Sequence, residues 1–174
     1  QAVGDDPQAV RANRDCLRAR AGVPLVWLRQ VHGTRVLSVN GSPADLATRE
    51  GLSEKIEQAN EPQADAMVTA QAGVGLVIQS ADCLPVLFAT ADGQVIGAAH
   101  AGWRGLALGV LENTLAAVRA KCHRPVGVHA WLGACIGPLH FEIGPEVREA
   151  FLAGDDGAVE HRRGLRRSET VPAV

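Results

Sequence analysis

The sequence predicts a mixed α/β fold with at least one antiparallel hairpin, and three observations carry that reading. Apolar runs of strand length fill its centre, at Ala66–Thr69, Val74–Gln79, Leu84–Thr90 and Val95–Ala101. The turn pair Asp92-Gly93 separates the last two, a strong local hairpin signal. A helical stripe of Leu111, Leu115 and Val118 follows them. Strands and helices do not alternate as in a doubly wound nucleotide fold, and neither GxGxxG nor GxxxxGK[ST] occurs.

The elements follow in chain order. Asp6-Pro7 opens a first helix, with Asp as cap and Pro in the first turn. Val10, Asn13 and Leu17 fall on one stripe of it, and Gly22 is its stop. Leu25–Val31 reads as a strand ending at His32-Gly33, and Val36–Val39 as a second, closed by the turn Asn40-Gly41-Ser42-Pro43. Residues 44–63 are polar with little period, a surface excursion with a short helix around Glu54–Gln58. After the central runs a helix spans about Gly105–Ala120, and Pro125 prevents its continuation. Val126–Leu132 is a further strand, and Pro145 starts a short helix ending near Gly154. Residues 155–174 are polar and carry Arg162, Arg163, Arg166 and Arg167, the pattern of a tail.

Composition narrows the function. The 174 residues are 47% hydrophobic and 21% charged, ordinary for a globular domain and too apolar for disorder. Lys+Arg numbers 17 against 19 Asp+Glu, a net charge of −2, where a nucleic-acid binder needs a basic surplus. Aromatics are 3% with no Tyr, which leaves few platforms for base stacking. No apolar run approaches the ~18 residues of a membrane span, and the first residues lack the signal-peptide pattern. The four cysteines, Cys16, Cys83, Cys122 and Cys135, form no CxxC pair, so a reduced, cytoplasmic setting is expected.

Hairpin arithmetic brings chemistry together. With Asp92-Gly93 at the turn, in a two- or four-residue loop, paired positions sum to 185, which sets Pro85 opposite His100 and Cys83 opposite Gly102. Cys83 and His100 then become diagonal neighbours on one face, with Cα atoms about 7–8 Å apart. A three-residue loop would reverse the parity. A lone cysteine between strands is commonly a small core residue. Here its placement suits either a shared metal ion or a direct Cys–His pair.

His32 is the natural third member, because Val26, Leu28, Gln30 and His32 alternate onto a face that turns polar at its end. A strand-end histidine satisfied by hydrogen bonds is the plainer alternative. His129, between alternating apolar residues, is expected to be buried. Arg104 sits at the start of the long helix, where a cation is unfavourable unless an anion or a carboxylate joins it. Trp103 is read as a packing residue. The loop Gly133-Ala134-Cys135-Ile136-Gly137-Pro138 is either a pocket lining or a plain turn.

Five motifs occur in a recognisable order: Arg29-Gln30-Val31-His32-Gly33, Ala64-Asp65-Ala66, Ser80-Ala81-Asp82-Cys83-Leu84-Pro85-Val86, Ala99-His100-Ala101-Gly102-Trp103-Arg104-Gly105 and Gly133-Ala134-Cys135-Ile136-Gly137-Pro138. Together they resemble the bacterial family described as purine nucleoside phosphorylases, laccase-domain (polyphenol oxidase) proteins and a peptidoglycan-editing factor. The likeness runs from about Gly4 to Ala153. It implies an α+β fold, a mixed β-sheet sandwich flanked by helices in a single domain. It also implies zinc on His32, Cys83 and His100, and phosphorolysis of adenosine, inosine, guanosine and methylthioadenosine with adenosine deamination alongside.

Three protein ligands with one open position is the catalytic zinc pattern. On this reading Cys83, Asp82 and Arg104 are the catalytic candidates. Arg104 holds phosphate, Asp82 and Gln30 support the site or handle protons, and Asp65 is structural. Purine nucleosides and phosphate are the expected partners, without nucleic acid or membrane. The domain is expected over 1–154, short at both ends relative to the family, with 155–174 as tail. Three rivals stand beside it: a copper polyphenol oxidase, with Met67 as the only methionine available for an axial ligand; a metal-free Cys–His hydrolase; and a non-catalytic module that binds a nucleotide-linked metabolite.

Overall fold

A computed structural model describes residues 4–41 and 61–153. The expected helix at Glu54–Gln58 and the arginine-rich tail lie outside the described residues, and the expected boundary at 154 falls at their edge. The chain divides into two compact units after Ile136.

The first unit begins with α1, Pro7–Ala21. Asp6 caps it by accepting from the Gln8 N–H, and Gly22 ends it at φ 66°, with its N–H bonded to the Arg18 carbonyl. The inward face differs from the expected stripe. Leu17 is exposed, and Arg14 is the buried residue. Its Nη1 donates to Glu61 Oε1 at 2.7 Å, and its guanidinium lies 4.2 Å from the Trp27 ring. The paired charge and the aromatic face make burial of this side chain tolerable.

Two sheets follow. The small one pairs β1 (Leu25–Val26) with β4 (Gly75–Leu76) in parallel. The larger has the order β2 (Val36–Ser38), β3 (Ala66–Thr69), β6 (Ile96–Ala101), β5 (Leu84–Thr90), β7 (Val128–Leu132), parallel only between β2 and β3. The hairpin has the expected parity: Pro85 lies opposite His100 and Leu84 opposite Ala101, so the paired numbers sum to 185. Thr90 and Val95 flank the turn, with the Thr90 N–H bonded to the Val95 carbonyl.

The long helix predicted over Gly105–Ala120 is two helices, α2 (Trp103–Ala107) and α3 (Val110–Ala120). Gly109, at φ 91°, occupies the left-handed conformation that breaks them apart. The stripe of α3 packs on one face of the large sheet, where Val110 and Val118 meet Ala66, Val68, Val86, Phe88, Ala99 and Ala101. A Cβ on Gly97 would come within 3.0 Å of Val118, so the glycine lets helix and sheet approach closely. Met67 points to the opposite face, into a second cluster with Leu28, Val39, Ala64 and Val74. β3 is therefore buried on both faces, as its uninterrupted apolar run requires. The large sheet thus carries α3 on one side, while the second cluster joins β3 to the Val26 and Leu76 strands.

β7 is an edge strand, and Trp131 and Leu132 are exposed on it. In the second unit α4, Pro145–Ala153, starts at a proline as expected and buries Val147. Among the described residues no helix is long and apolar enough to cross a membrane.

Candidate metal centre

His100 is the penultimate residue of β6, opposite Pro85 on β5 and beside Asp65, which immediately precedes β3. Residues 97, 99 and 101 face α3, so His100 projects to the other face. Cys83 stands one residue before β5, and Gly102 one residue after β6, continuing the same pairing. A Cβ built on Gly102 would lie 3.1 Å from Cys83 Sγ and 2.7 Å from His32 Cδ2. A hydrogen is thus all the floor of this site admits.

His32 arrives by a route that alternation did not anticipate. The strand expected over Leu25–Val31 pairs with β4 only through Val26, and an isolated bridge then joins Arg29 to Gln63. Beyond it the backbone donors turn to one side chain. Val31 N–H donates to both oxygens of Asp65 at 3.2 Å, His32 N–H to Oδ1 at 2.8 Å and Gly33 N–H to Oδ2 at 2.8 Å. His32 itself sits at φ 60°, the only described non-glycine residue with positive φ. That left-handed conformation is uncommon for histidine and persists where surrounding contacts determine it. α2 closes in from the other side: a Cβ on Gly105 would come 2.7 Å from the Gly33 carbonyl oxygen.

The result is one group of potential ligands. One nitrogen each from His32 and His100 and the Cys83 sulfur all lie within 4.8 Å of one another. Cys83 Sγ is 3.8 Å from His32 Nε2, and the two imidazoles meet edge to face at 4.8 Å between centroids. Exposure falls from His32, which is open, through half-buried Cys83 to buried His100. His100 Nδ1 is 2.9 Å from Asp65 Oδ1, which leaves Nε2 free to face the group. Burial pushes the Cys83 thiol up, and the nearby Asp82 and Asp65 carboxylates push it the same way. A free thiolate is thus disfavoured here unless a cation joins it.

The other sequence candidates are placed as follows. Asp82 is exposed, and its carbonyl accepts from Ile136 N–H at 2.9 Å, which ties the Gly133–Ile136 loop to the Cys83 turn. Cys135 in that loop is exposed. Gln30 reaches across to the same turn: its Nε2 donates to the Gln79 carbonyl at 2.7 Å and its Oε1 accepts from Gln79 N–H at 2.8 Å. This side chain continues β1–β4 pairing where the backbone has left it. Gln30→Ala is expected to destabilise the fold by about 1 kcal/mol through two exposed hydrogen bonds. It should also weaken metal binding less than about tenfold, as measured by melting and by chelator competition.

Arg104 is exposed, with its guanidinium 4.2 Å from the Trp103 ring centroid, and no carboxylate pairs with it among the described residues. Trp103 therefore supports the arginine as well as packing. His129 is exposed on β7, against the expectation of burial, because β7 is an edge strand. Sequence reasoning took Asp65 for a structural residue and passed over Gly102 as a site residue. Pairing arithmetic across β5 and β6 already set Gly102 against Cys83.

The family described as "Multi-copper polyphenol oxidoreductase laccase" matches residues 1–170. A Xylella fastidiosa protein named "Purine nucleoside phosphorylase" is 48% identical over 90% of this chain and 56% of its own length. "Purine nucleoside phosphorylase YfiH" of Escherichia coli is 44% identical over 87% of this chain and 56% of its own. The chain thus spans little more than half the length of these curated relatives. The crystal structure of Neisseria meningitidis protein NMB0706 superposes with a TM-score of 0.73 at 40% identity, covering 91% of this chain and 58% of that one. YlmD from Geobacillus stearothermophilus gives a TM-score of 0.71 at 27% identity, over 98% of this chain and 58% of its own. The five ordered motifs, the fold and the match over nearly the whole sequence place the chain in the laccase-like polyphenol oxidoreductase family, whose curated members here carry the name purine nucleoside phosphorylase.

Proposed function

We propose that the chain forms the zinc-binding core of a cytoplasmic purine nucleoside phosphorylase. It would use inorganic phosphate to split the N-glycosidic bond of adenosine, inosine, guanosine or methylthioadenosine, with water-driven deamination of adenosine as a second activity. The observation that carries the reading is the convergence of His32, Cys83 and His100 within 4.8 Å. The relatives' names give the substrate class.

The donor set fits zinc. Ligand atoms 2.0–2.3 Å from a tetrahedral ion lie about 3.5 Å from one another, and Cys83 Sγ and His32 Nε2 are 3.8 Å apart. The space above Gly102 is one that a methyl group would fill. When bound, zinc supplies Lewis acidity at an open coordination position.

The remaining work falls to the chain. Asp65 holds the ring of His100, and Cys83 contributes negative charge as thiolate. Asp82, exposed one residue away, would take or return a proton. Arg104 offers an exposed guanidinium on its Trp103 support for the phosphate. Arg104→Ala is expected to raise the phosphate KM about tenfold to a hundredfold, since one charge-assisted hydrogen bond contributes about 1.5–3 kcal/mol. Zinc content should stay unchanged and deamination should suffer less. Equal losses in both reactions would assign Arg104 to stability instead.

The family description raises copper as the alternative ion. A blue-copper site takes the same two histidines and cysteine plus a weak axial methionine. Met67 is packed among Leu28, Val39, Ala64 and Val74 in the second core, which favours zinc. The raised Cys83 thiol likewise opposes a metal-free cysteine nucleophile. The experiment is metal analysis of protein purified without added metal, combined with an assay for phosphate-dependent release of free purine base with and without a chelator. Zinc and chelator-sensitive release support the reading. Base release that needs no phosphate and survives metal removal favours the Cys–His hydrolase, and tight nucleoside binding without turnover favours the binding module.

A further inference from the structure

We propose that Asp65 is a positioning residue that presets two of the three candidate ligands, fixing the Nδ1–H tautomer of His100 and the left-handed backbone of His32. Its role rests on the metal-centre reading above for its consequence, and on hydrogen-bond geometry alone for its substance.

Asp65 is completely buried. A buried carboxylate must be matched by donors, and among the described residues every donor it meets belongs to a ligand or to a ligand's neighbour. Oδ1 accepts from His32 N–H at 2.8 Å and faces His100 Nδ1 at 2.9 Å. Oδ2 accepts from Gly33 N–H at 2.8 Å, and both oxygens share Val31 N–H. The backbone adds a further tie, since His100 N–H donates to the Asp65 carbonyl at 2.7 Å. One side chain therefore links the end of β6 to the segment that carries His32.

The chemistry of this link is specific. An ionised carboxylate only accepts, so it selects the imidazole tautomer with the proton on Nδ1 and the lone pair on Nε2. That lone pair is what a metal requires, and a carboxylate behind a ligating histidine both orients the ring and raises its basicity. The three consecutive N–H groups of Val31, His32 and Gly33 converge on the same carboxylate, and this holds His32 at φ 60°. Asparagine is the discriminating replacement. It keeps the shape, but one end becomes a donor. With Nδ2 toward Gly33 it faces an N–H, and with Nδ2 toward His100 it donates to Nδ1 and moves the ring proton to Nε2.

The test uses the full chain with ¹⁵N-labelled histidine, observed metal-free at pH 8 by long-range ¹H–¹⁵N NMR, with His100 identified by its loss in His100→Gln. Zinc affinity is measured in parallel by competition with a chromophoric chelator, and folding by melting. The expected results are an Nδ1–H tautomer at His100 in the wild-type protein and a 10–100-fold weaker zinc affinity in Asp65→Asn. Asp65→Asn should also shift His100 toward Nε2–H. A wild-type Nε2–H tautomer overturns the proposal without recourse to any variant. So does Asp65→Asn with unchanged tautomer and unchanged zinc affinity. Wild-type protein that shows the Nδ1–H tautomer but takes up no zinc contradicts the metal centre and upholds the hold of Asp65 on His100.

Discussion

Replacing Cys83 by alanine is expected to abolish stoichiometric zinc binding while leaving the fold intact. Cys83 stands one residue outside β5, half-buried, with no backbone ladder depending on its side chain. Its sulfur lies 3.8 Å from His32 Nε2 and faces Gly102. Loss of a partner behind a ligand lowers metal affinity by about 10–100-fold, so loss of one of three ligands should exceed about 100-fold. Stability of the metal-free protein should change by about 1 kcal/mol or less, because a half-exposed thiol leaves little cavity. Metal content after dialysis and a melting curve read the two effects separately. Full zinc occupancy in Cys83→Ala would remove the cysteine from the centre.

Gly102→Ala is expected to have an effect nearly as large, for a different reason. The backbone at Gly102, φ −66° and ψ 156°, is one that alanine adopts freely, so the added methyl brings no torsional strain. It would, however, stand 2.7 Å from His32 Cδ2 and 3.1 Å from Cys83 Sγ. His32 is exposed and can swing away, which relieves the clash by dispersing the ligands. The expected outcome is a stability loss of about 1 kcal/mol in the metal-free protein and a zinc affinity lowered at least about tenfold. A variant that binds zinc as the wild type does would show that His32 lies outside the coordination sphere. Gly105→Ala is a useful contrast, since its methyl would meet the backbone oxygen of Gly33, which cannot rotate aside.

The sequence made the hairpin legible because its chemistry is local. An Asp-Gly turn sets the parity, and parity decides that Cys83, Pro85 and His100 share a face. β3 and β5 were equally plain, as continuous apolar runs between turn residues. α1 was legible at both ends through Asp6, Pro7 and Gly22, yet its inward face was not. Arg14 is buried by partners distant in sequence, Trp27 and Glu61, which no helical period encodes. The break between α2 and α3 turns on one glycine at positive φ, and an isolated glycine in a helical pattern is tolerated too often to be decisive.

His32 shows the same limit at the site. Alternation along Leu25–Val31 pointed to His32, which the structure brings beside Cys83 and His100, although the strand ends after Val26. What places His32 is the carboxylate of Asp65, more than thirty residues away. A single acidic residue before a short apolar strand carries no local signal of that task. Only the pairing of β3 with β6 sets Asp65 beside His100 and makes the function of its charge visible.

We propose that His32, Cys83 and His100 together hold one zinc ion. X-ray absorption at the zinc edge, on protein purified without added metal, tests it most directly. The expected spectrum has one sulfur at about 2.3 Å and two imidazole nitrogens at about 2.0–2.1 Å, with one lighter oxygen ligand completing four. Cys83→Ala should lose the sulfur shell together with most of the metal. A zinc site built only from nitrogen and oxygen, or copper in place of zinc, would contradict the account.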